Sequence, residues 1–154
     1  MSQTATADLD LALPPAPPQP KHYDVVVVHR GIAHVAGQVS RAPDRVVAGH
    51  LLSDADDLSE AREAARVSIR RVLAALRDKL GSLDRIEQVL SLRGFVNAAP
   101  GFTRHAEVLD AASELLQAHL GPRGRHARSA IGATSIPGNG LTEIELTVAV
   151  REEA

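Results

Sequence analysis

The sequence predicts an α+β fold in which a single sheet carries two helices on one face. Apolar residues recur at every second position in some segments and at every third or fourth position in others. These strand-like and helix-like segments alternate in the order ββ-α-β-α-ββ. With 154 residues, 44% of them apolar, the chain has the size of one core. Each helix has one apolar stripe to bury, so both are expected to cover the same face of the sheet.

The first 20 residues differ from the rest in their proline content. Proline blocks helix formation and interior strand pairing. Residues 1–20 are therefore predicted to form a flexible or extended arm, and residues 21–154 a single domain. An arm that lies across a neighbouring subunit is the alternative interpretation. The prolines are Pro14, Pro15, Pro17, Pro18 and Pro20.

Two strands are predicted at the start of the domain, at residues 25–28 and 32–39. The first is a run of valine, which is β-branched, and Gly31 marks the break between the two strands. A hairpin is the simplest connection.

A long helix is predicted at residues 54–80, where apolar residues recur three or four positions apart. Asp57 and Glu60 have the spacing of a capping box at its start, and Gly81 is expected to end it. The apolar stripe consists of Leu58, Ala61, Ala65, Ile69, Val72, Leu73, Leu76 and Leu80.

A strand at residues 86–97 and a second helix are predicted next. Alternation in the strand places Leu90 on the apolar side and Arg93 on the polar side. The second helix is expected to stop at Gly121-Pro122. Its apolar face consists of Val108, Leu109, Ala112, Leu115, Leu116 and Leu120.

Two strands, at about residues 127–134 and 141–150, are predicted to complete the sheet. In the last strand Glu143 and Glu145 point away from the apolar face, which is expected to lie beneath the helices. In the strand before it, small residues share a side with Arg128, a pattern that suits a packed seam between subunits. That side consists of Arg128, Ala130, Gly132 and Thr134.

The connection between these last two strands leaves two possibilities open. A tight hairpin would set Glu143 opposite Ala133, roughly 17 Å along the strand from Arg128. Either the two strands are not hairpin partners, or the glutamate beside a given Arg128 comes from another subunit.

Composition excludes several classes of function. A net charge of −2, with one tyrosine, two phenylalanines and no tryptophan, makes a nucleic-acid partner unlikely. The absence of cysteine excludes disulfides, thiolate nucleophiles and cysteine-bound zinc. Seven histidines show no ligand spacing, so neither a metal nor another cofactor is expected. No apolar run or leader is apparent, and we expect a cytoplasmic protein without a membrane partner.

Several motifs carry a resemblance to a known family. Tyr23 lies fifteen positions before Gln38 of Gly37-Gln38, and Arg128 fifteen positions before Glu143, with Ile136-Pro137 between them. In these features the chain resembles the YjgF/RidA family of enamine/imine deaminases, also labelled L-PSP endoribonuclease. Residues 121–132 resemble a branch that carries Gly-x-His-Ala-Arg-Ser-Ala.

The resemblance implies a chorismate mutase-like fold and a homotrimer with sites in the clefts between subunits. It implies that Arg128 binds a substrate carboxylate with help from the backbone at Ala130, and that Glu143 positions the water that attacks an imine carbon. Tyr23 would line the pocket from the neighbouring chain. The alternative for Arg128 is a structural ion pair with Glu143 or Glu145.

Two positions near the implied site depart from the family pattern. Ala36, just before Gly37, stands where better-known deaminating members carry a serine, and Asp110 stands where relatives carry an asparagine. A carboxylate at 110 would repel an acidic substrate unless it is paired. Three hypotheses follow: hydrolysis of imines to 2-keto acids and ammonia, non-catalytic binding of small carboxylate metabolites, and, less favoured, RNA cleavage.

Overall fold

The computed structural model describes residues 13–42, 45–46 and 51–153. Five strands form the main sheet: β1 (Val26–His29), β2 (Ile32–Val39), β5 (Ile86–Asn97), β6 (Ala127–Ala133) and β7 (Thr142–Val150). The short strands β3 (Arg41–Ala42) and β4 (Arg45–Val46) pair with each other, and the helices are α1 (Ser59–Leu80) and α2 (His105–Leu120). This architecture confirms the predicted fold class.

The order of strands in the sheet is β1-β2-β7-β5-β6. All neighbours are antiparallel except β5 and β6, which run parallel because α2 carries the chain back between them. β5 therefore lies between β6 and β7, and the last two strands are not hairpin partners. Of the two possibilities left open by the sequence, the first is correct.

The two helices pack on one face of the sheet and form the core with it. Fully buried side chains include Ile69 and Leu73 of α1, Leu116 of α2 and Ile144 of β7. Gly81 ends α1 in the left-handed conformation, with φ of 83° and its N–H bonded to the carbonyl of Arg77. Those parts of the prediction are confirmed.

The start of α1 differs from the prediction. The helix begins at Ser59 after Leu58, which makes no side-chain cap, so the predicted capping box of Asp57 and Glu60 is wrong. The Asp57 carboxylate instead accepts a hydrogen bond from the backbone N–H of Ser59, 2.7 Å away.

The faces of β7 are as predicted, whereas β5 departs from regular alternation. Residues 144, 146, 148 and 150 are buried beneath the helices, and Glu143 and Glu145 lie on the opposite, open face. Leu90 was expected on the apolar side, but it is 38% exposed and Val89 is buried instead. The register between β5 and β7 shifts between Val89 and Ser91, which turns Leu90 outward.

The side of β6 that carries Arg128 faces α2, so the predicted seam between subunits on that side is wrong. Arg128 pairs in register with Leu92, a fully buried residue of the helix-covered face. A side chain added at Gly132 would lie 2.6 Å from Nε2 of His105 on α2. Small residues here make room for the helix rather than for another chain.

The described part of the proline-rich arm, residues 13–20, has no helix or strand and contacts the domain of its own chain. The carbonyl of Pro14 accepts a hydrogen bond from Arg77, and the Gln19 side chain accepts one from the N–H of Val25. No helix in the described ranges is long and apolar enough to cross a membrane.

Candidate functional site

Glu143 lies on the open face of the sheet beside a β-bulge in β2. Val35 pairs with Leu146 and Gln38 with Ile144, so Ala36 and Gly37 together face the single residue Glu145. A bulge bends the strand and often lies beside a functional site. A Cβ at Gly37 would overlap with Oε1 of Glu143, so glycine leaves space for that carboxylate.

The electrostatic surroundings of the two glutamates differ. Glu145 forms an ion pair with Arg93 of β5, whereas Glu143 forms none with any described residue. Burial, and secondarily the negative charge of Glu145, raises the pKa of Glu143 above its ordinary value. A carboxylate with a raised pKa and no cation beside it is suited to accept a proton from water.

Tyr23 lies at the rim of a pocket that also contains Gly37. The ring is 62% exposed. The pocket has a volume of about 470 Å³, and its wall includes Pro20, Val25 and Gln38. Ala36 instead lines a separate depression of about 290 Å³ on the open face, with His34 and Glu145.

Arg128 forms an ion pair within its own chain. Its Nη1 lies 2.9 Å from Oδ1 of Asp110 and 3.0 Å from Oγ of Ser113, both on α2. The partner is therefore Asp110, not Glu143 or Glu145 as the structural alternative proposed. The Arg128 side chain is still 20% exposed and that of Asp110 49%, so the pair lies at the surface.

Ser113 connects Arg128 to His126. His126 Nε2 lies 2.9 Å from Oγ of Ser113, and Nδ1 lies 2.6 Å from the carbonyl of Gly124. A carbonyl only accepts, so Nδ1 carries the proton and Nε2 accepts from the serine hydroxyl. Burial, and then the positive charges of Arg128 and Arg125, lower the pKa of His126, against the opposing effect of the Gly124 hydrogen bond.

The structure brings the predicted site residues together in two separate groups. Gly37 contacts Glu143 and shares a pocket with Tyr23, at the β2 side of the sheet. Arg128, Asp110 and Ala130 lie at the opposite edge, on β6 and α2. At ordinary strand spacing, β6 is roughly 14 Å from β2, which carries Gly37, and roughly 10 Å from β7, which carries Glu143.

Arg128 and Glu143 also point to opposite faces of the sheet. Arg128 shares the helix-covered face with Leu92, which pairs with Leu146. Glu143 is three residues from Leu146 and points to the open face. Within one chain the two proposed catalytic residues do not form one site.

The positions of Ser113, Arg41 and Arg71 beside the predicted site residues do not follow from the sequence. Ser113 lies in the second helix beside the apolar stripe, where the sequence pattern does not distinguish it from other small residues. Arg41 and Arg71 border the same pocket as Tyr23, but they come from a short strand and from the middle of α1. Only the tertiary fold brings them together.

The chain is similar in sequence to known proteins over most of its length. The family model described as YjgF/chorismate mutase-like, putative endoribonuclease, matches residues 13–150. Protein TCP17 of Trypanosoma cruzi is 33% identical over 144 residues, which cover 91% of this chain and 88% of that protein.

Two crystal structures are similar over nearly the whole chain. The protein Atu1372 of Agrobacterium tumefaciens, of unknown function, has a TM-score of 0.86 and 30% identity, with 96% of this chain and 92% of that chain covered. A putative endoribonuclease of Shewanella oneidensis also has a TM-score of 0.86, with 25% identity and coverage of 96% and 98%.

Proposed function

The chain belongs to the YjgF/chorismate mutase-like family, and we propose that it hydrolyses small imines that carry a carboxylate. The products are a 2-keto acid and ammonia, and the reaction takes place in a cleft between two protomers of a homotrimer. One protomer contributes Arg128, and the other contributes Glu143 with Tyr23 and Gly37. No cofactor takes part.

The observation that carries this proposal is the state of Glu143. Its carboxylate is half-buried, lies over the Gly37 bulge, has a raised pKa and lacks an ionic partner among the described residues. It accepts a proton from water as the water oxygen attacks the imine carbon. That proton passes to the nitrogen to give a carbinolamine. The carbinolamine hydroxyl proton then also moves to the nitrogen through Glu143, the carbon–nitrogen bond breaks, and ammonia leaves as the carbonyl forms.

Arg128 binds the substrate carboxylate in this scheme. Nη1 is engaged by Asp110 and Ser113, and Nη2 makes a long contact of 3.4 Å with the carbonyl of Ala106. A guanidinium has five N–H donors in a planar fork, so donors remain for a carboxylate that approaches from the exposed side. The adjacent backbone at Ala130 assists this contact.

The separation of the two groups supports a site shared between protomers. Arg128 lies on an edge strand and Glu143 on the open face, so a neighbour that packs against that face with its β6 edge brings them together. The open face carries apolar side chains that suit such packing. Ile131 is 47% exposed and Val27 48% exposed on it.

One observation favours a second function, the binding of small carboxylates without catalysis. The Asp110 carboxylate neutralises Arg128 and occupies part of the fork that a substrate needs. Ala36 also leaves the bulge without the hydroxyl that better-known deaminating relatives carry there. The first feature weakens binding and turnover alike, whereas the missing hydroxyl, which could hold the attacking water, weakens turnover more than binding.

The decisive experiment measures ammonia and keto-acid release from imines that a second enzyme generates in the same vessel. We expect the wild type to accelerate release, Glu143→Gln to abolish the acceleration and Arg128→Ala to reduce it strongly. Glu87→Gln removes an exposed carboxylate of β5 and serves as the matched control. Equal release with and without wild-type protein would favour the binder.

The description of the family also raises RNA cleavage, which the same variants test. Ribonuclease activity that persists through extensive purification and disappears in Arg128→Ala would support it. The net charge of −2 and the low aromatic content count against it.

A further inference from the structure

Two arginines lie beside the pocket that contains Tyr23. Arg41 lies on β3 and is exposed, and Arg71 lies on the face of α1 that meets the end of β2. Nη1 of Arg71 donates to the carbonyl of Val39 over 2.8 Å, which fixes the direction of its guanidinium. Both arginines line the pocket of about 470 Å³.

No described carboxylate is paired with either arginine. Other arginines of α1 do have acidic partners: Arg62 binds Glu114, and Arg66 and Arg70 bind Glu63. Arg71 thus differs from Arg62, Arg66 and Arg70 of the same helix, whose positive charges are matched by carboxylates.

The two positive charges repel each other, and an anion between the two side chains would relieve that repulsion. Burial, and secondarily the positive charge of Arg41, lowers the pKa of Arg71. The pocket wall also includes the rings of Pro17, Pro18 and Pro20. Prolines offer no N–H donor, and their apolar surface strengthens the attraction between the arginines and an anion.

We propose that this pocket binds the dianionic phosphate group of a small phosphate ester, between the guanidiniums of Arg41 and Arg71. Two positive charges match a group that carries nearly two negative charges at neutral pH and presents three acceptor oxygens. A single carboxylate would leave one of the two charges unmatched. The rest of the ligand lies against the proline rings and the exposed ring of Tyr23.

Tyr23 and Gly37 belong both to this pocket and to the proposed cleft, but neither Glu143 nor Arg128 lines the pocket, so phosphate binding does not depend on imine hydrolysis. Failure of the hydrolysis assay therefore leaves the inference untouched, and the two are tested separately.

The test titrates inorganic phosphate into the full chain at constant ionic strength and follows binding by calorimetry. We expect saturable binding by the wild type, weaker binding of acetate, and a loss of phosphate affinity of roughly tenfold or more in Arg41→Gln, as one charge-assisted hydrogen bond is removed. Arg41 is exposed, so this variant is expected to fold normally. Thermal unfolding without phosphate checks this.

Two further variants separate a built site from general surface charge. Arg66→Gln removes the same charge from the same helix as Arg71, at a paired position, and is expected to bind like the wild type. Arg71→Lys keeps the charge but loses the planar fork, and is expected to bind more weakly than the wild type. Absence of saturable phosphate binding, or equal losses in Arg41→Gln and Arg66→Gln, would overturn the inference.

Discussion

Asp110 Oδ1 lies 2.9 Å from Nη1 of Arg128, so the cation proposed to bind substrate already has a carboxylate partner in its own chain. The pair is partly exposed, and such pairs contribute about 1 kcal/mol or less to folding. Its larger effect is on ligand binding, because an incoming carboxylate must share the fork with Asp110 and is repelled by it.

Asp110→Asn is therefore expected to strengthen binding of small carboxylates at little cost in stability. The amide keeps a hydrogen-bond acceptor for Arg128 and removes the repulsion, so we expect an increase in affinity for 2-ketobutyrate of about tenfold. Calorimetric titration measures it. Glu107→Gln, on the same helix and paired with Arg104, is the control. Weaker binding by Asp110→Asn would mean that Asp110 orients Arg128 instead.

Gly37→Ala is expected to impair hydrolysis by displacing the Glu143 carboxylate. The added Cβ would overlap with Oε1 of Glu143 and lie 3.1 Å from its Cδ, and a flexible side chain can move away. We expect a loss in kcat of about tenfold or more with a small change in Tm, since a displaced base loses its alignment with water. In a protein that already carries Glu143→Ala the same change should leave Tm unaltered, and an additive loss of Tm would contradict displacement of the Glu143 side chain.

The pH dependence of stability tests the environment of Glu143. Burial first, and Glu145 second, raise its pKa above the ordinary value of 4.5, so the folded state holds the proton more tightly than the unfolded state. Stability from this group is present at low pH and is lost as pH rises from 4.5 through the folded pKa. Glu143→Gln should remove that loss and be more stable than the wild type above this window.

Urea unfolding of both proteins across that pH range makes the measurement. The difference between them should shrink on acidification, and a difference that is constant with pH would contradict the raised pKa. The rate of hydrolysis should rise through the same pKa, because the base acts only when it is deprotonated.

Much of the fold follows from the sequence because its elements are governed by local periodicity. The bounds of β5 were predicted to the residue, and the two faces of β7 follow from strict alternation. The exposed position of Leu90 does not follow from the sequence, because a bulge shifts the register there. A bulge depends on the partner strand rather than on the local pattern. The same holds for the position of β6, since strand order is a tertiary property.

The sequence predicts candidate site residues but not how the fold arranges them. Gly37 and Glu143 do lie together, because the bulge sets Gly37 beside the glutamate, whereas Ala36 lines a separate depression. Arg128 was assigned to a seam between subunits, whereas it faces α2. Periodicity shows which residues share a face of β6, but not which face the helices cover. The ion pair of Arg128 with Asp110 therefore cannot be predicted from it.

Ser113 is expected to control the proton affinity of His126. Burial, followed by the charges of Arg128 and Arg125, lowers the pKa of His126 from its ordinary 6.5, and the Ser113 hydroxyl stabilises the neutral ring by donating to Nε2. Ser113→Ala should therefore raise the pKa of His126 toward 6.5, with a loss of about 1–3 kcal/mol in stability from the buried hydrogen bonds.

Titration of the His126 ring by NMR measures this change and identifies the tautomer. Ser129→Ala, an exposed position one residue from Arg128, is the control and should leave the His126 titration unchanged. In the wild type, stability should fall as pH drops from 6.5 through the lowered pKa, because only the unfolded chain takes up the proton there. A His126 pKa that does not respond to Ser113→Ala would show that the Ser113 hydroxyl does not contribute to it.

Mixed oligomers test whether Arg128 and Glu143 act from different protomers. Within one chain they lie on opposite faces of the sheet, with β5 between their strands. The Arg128→Ala protein, which is strongly impaired, and the Glu143→Gln protein, which is inactive, should gain activity when they are unfolded, mixed in equal amounts and refolded together. In random mixed trimers about a quarter of the clefts would receive both intact residues, which sets the expected recovery. Refolding each variant separately before mixing is the control, because subunits then have no opportunity to exchange. No recovery from refolded mixtures that contain mixed oligomers would exclude a site shared in this way, since every intact pair would then have to come from a single chain.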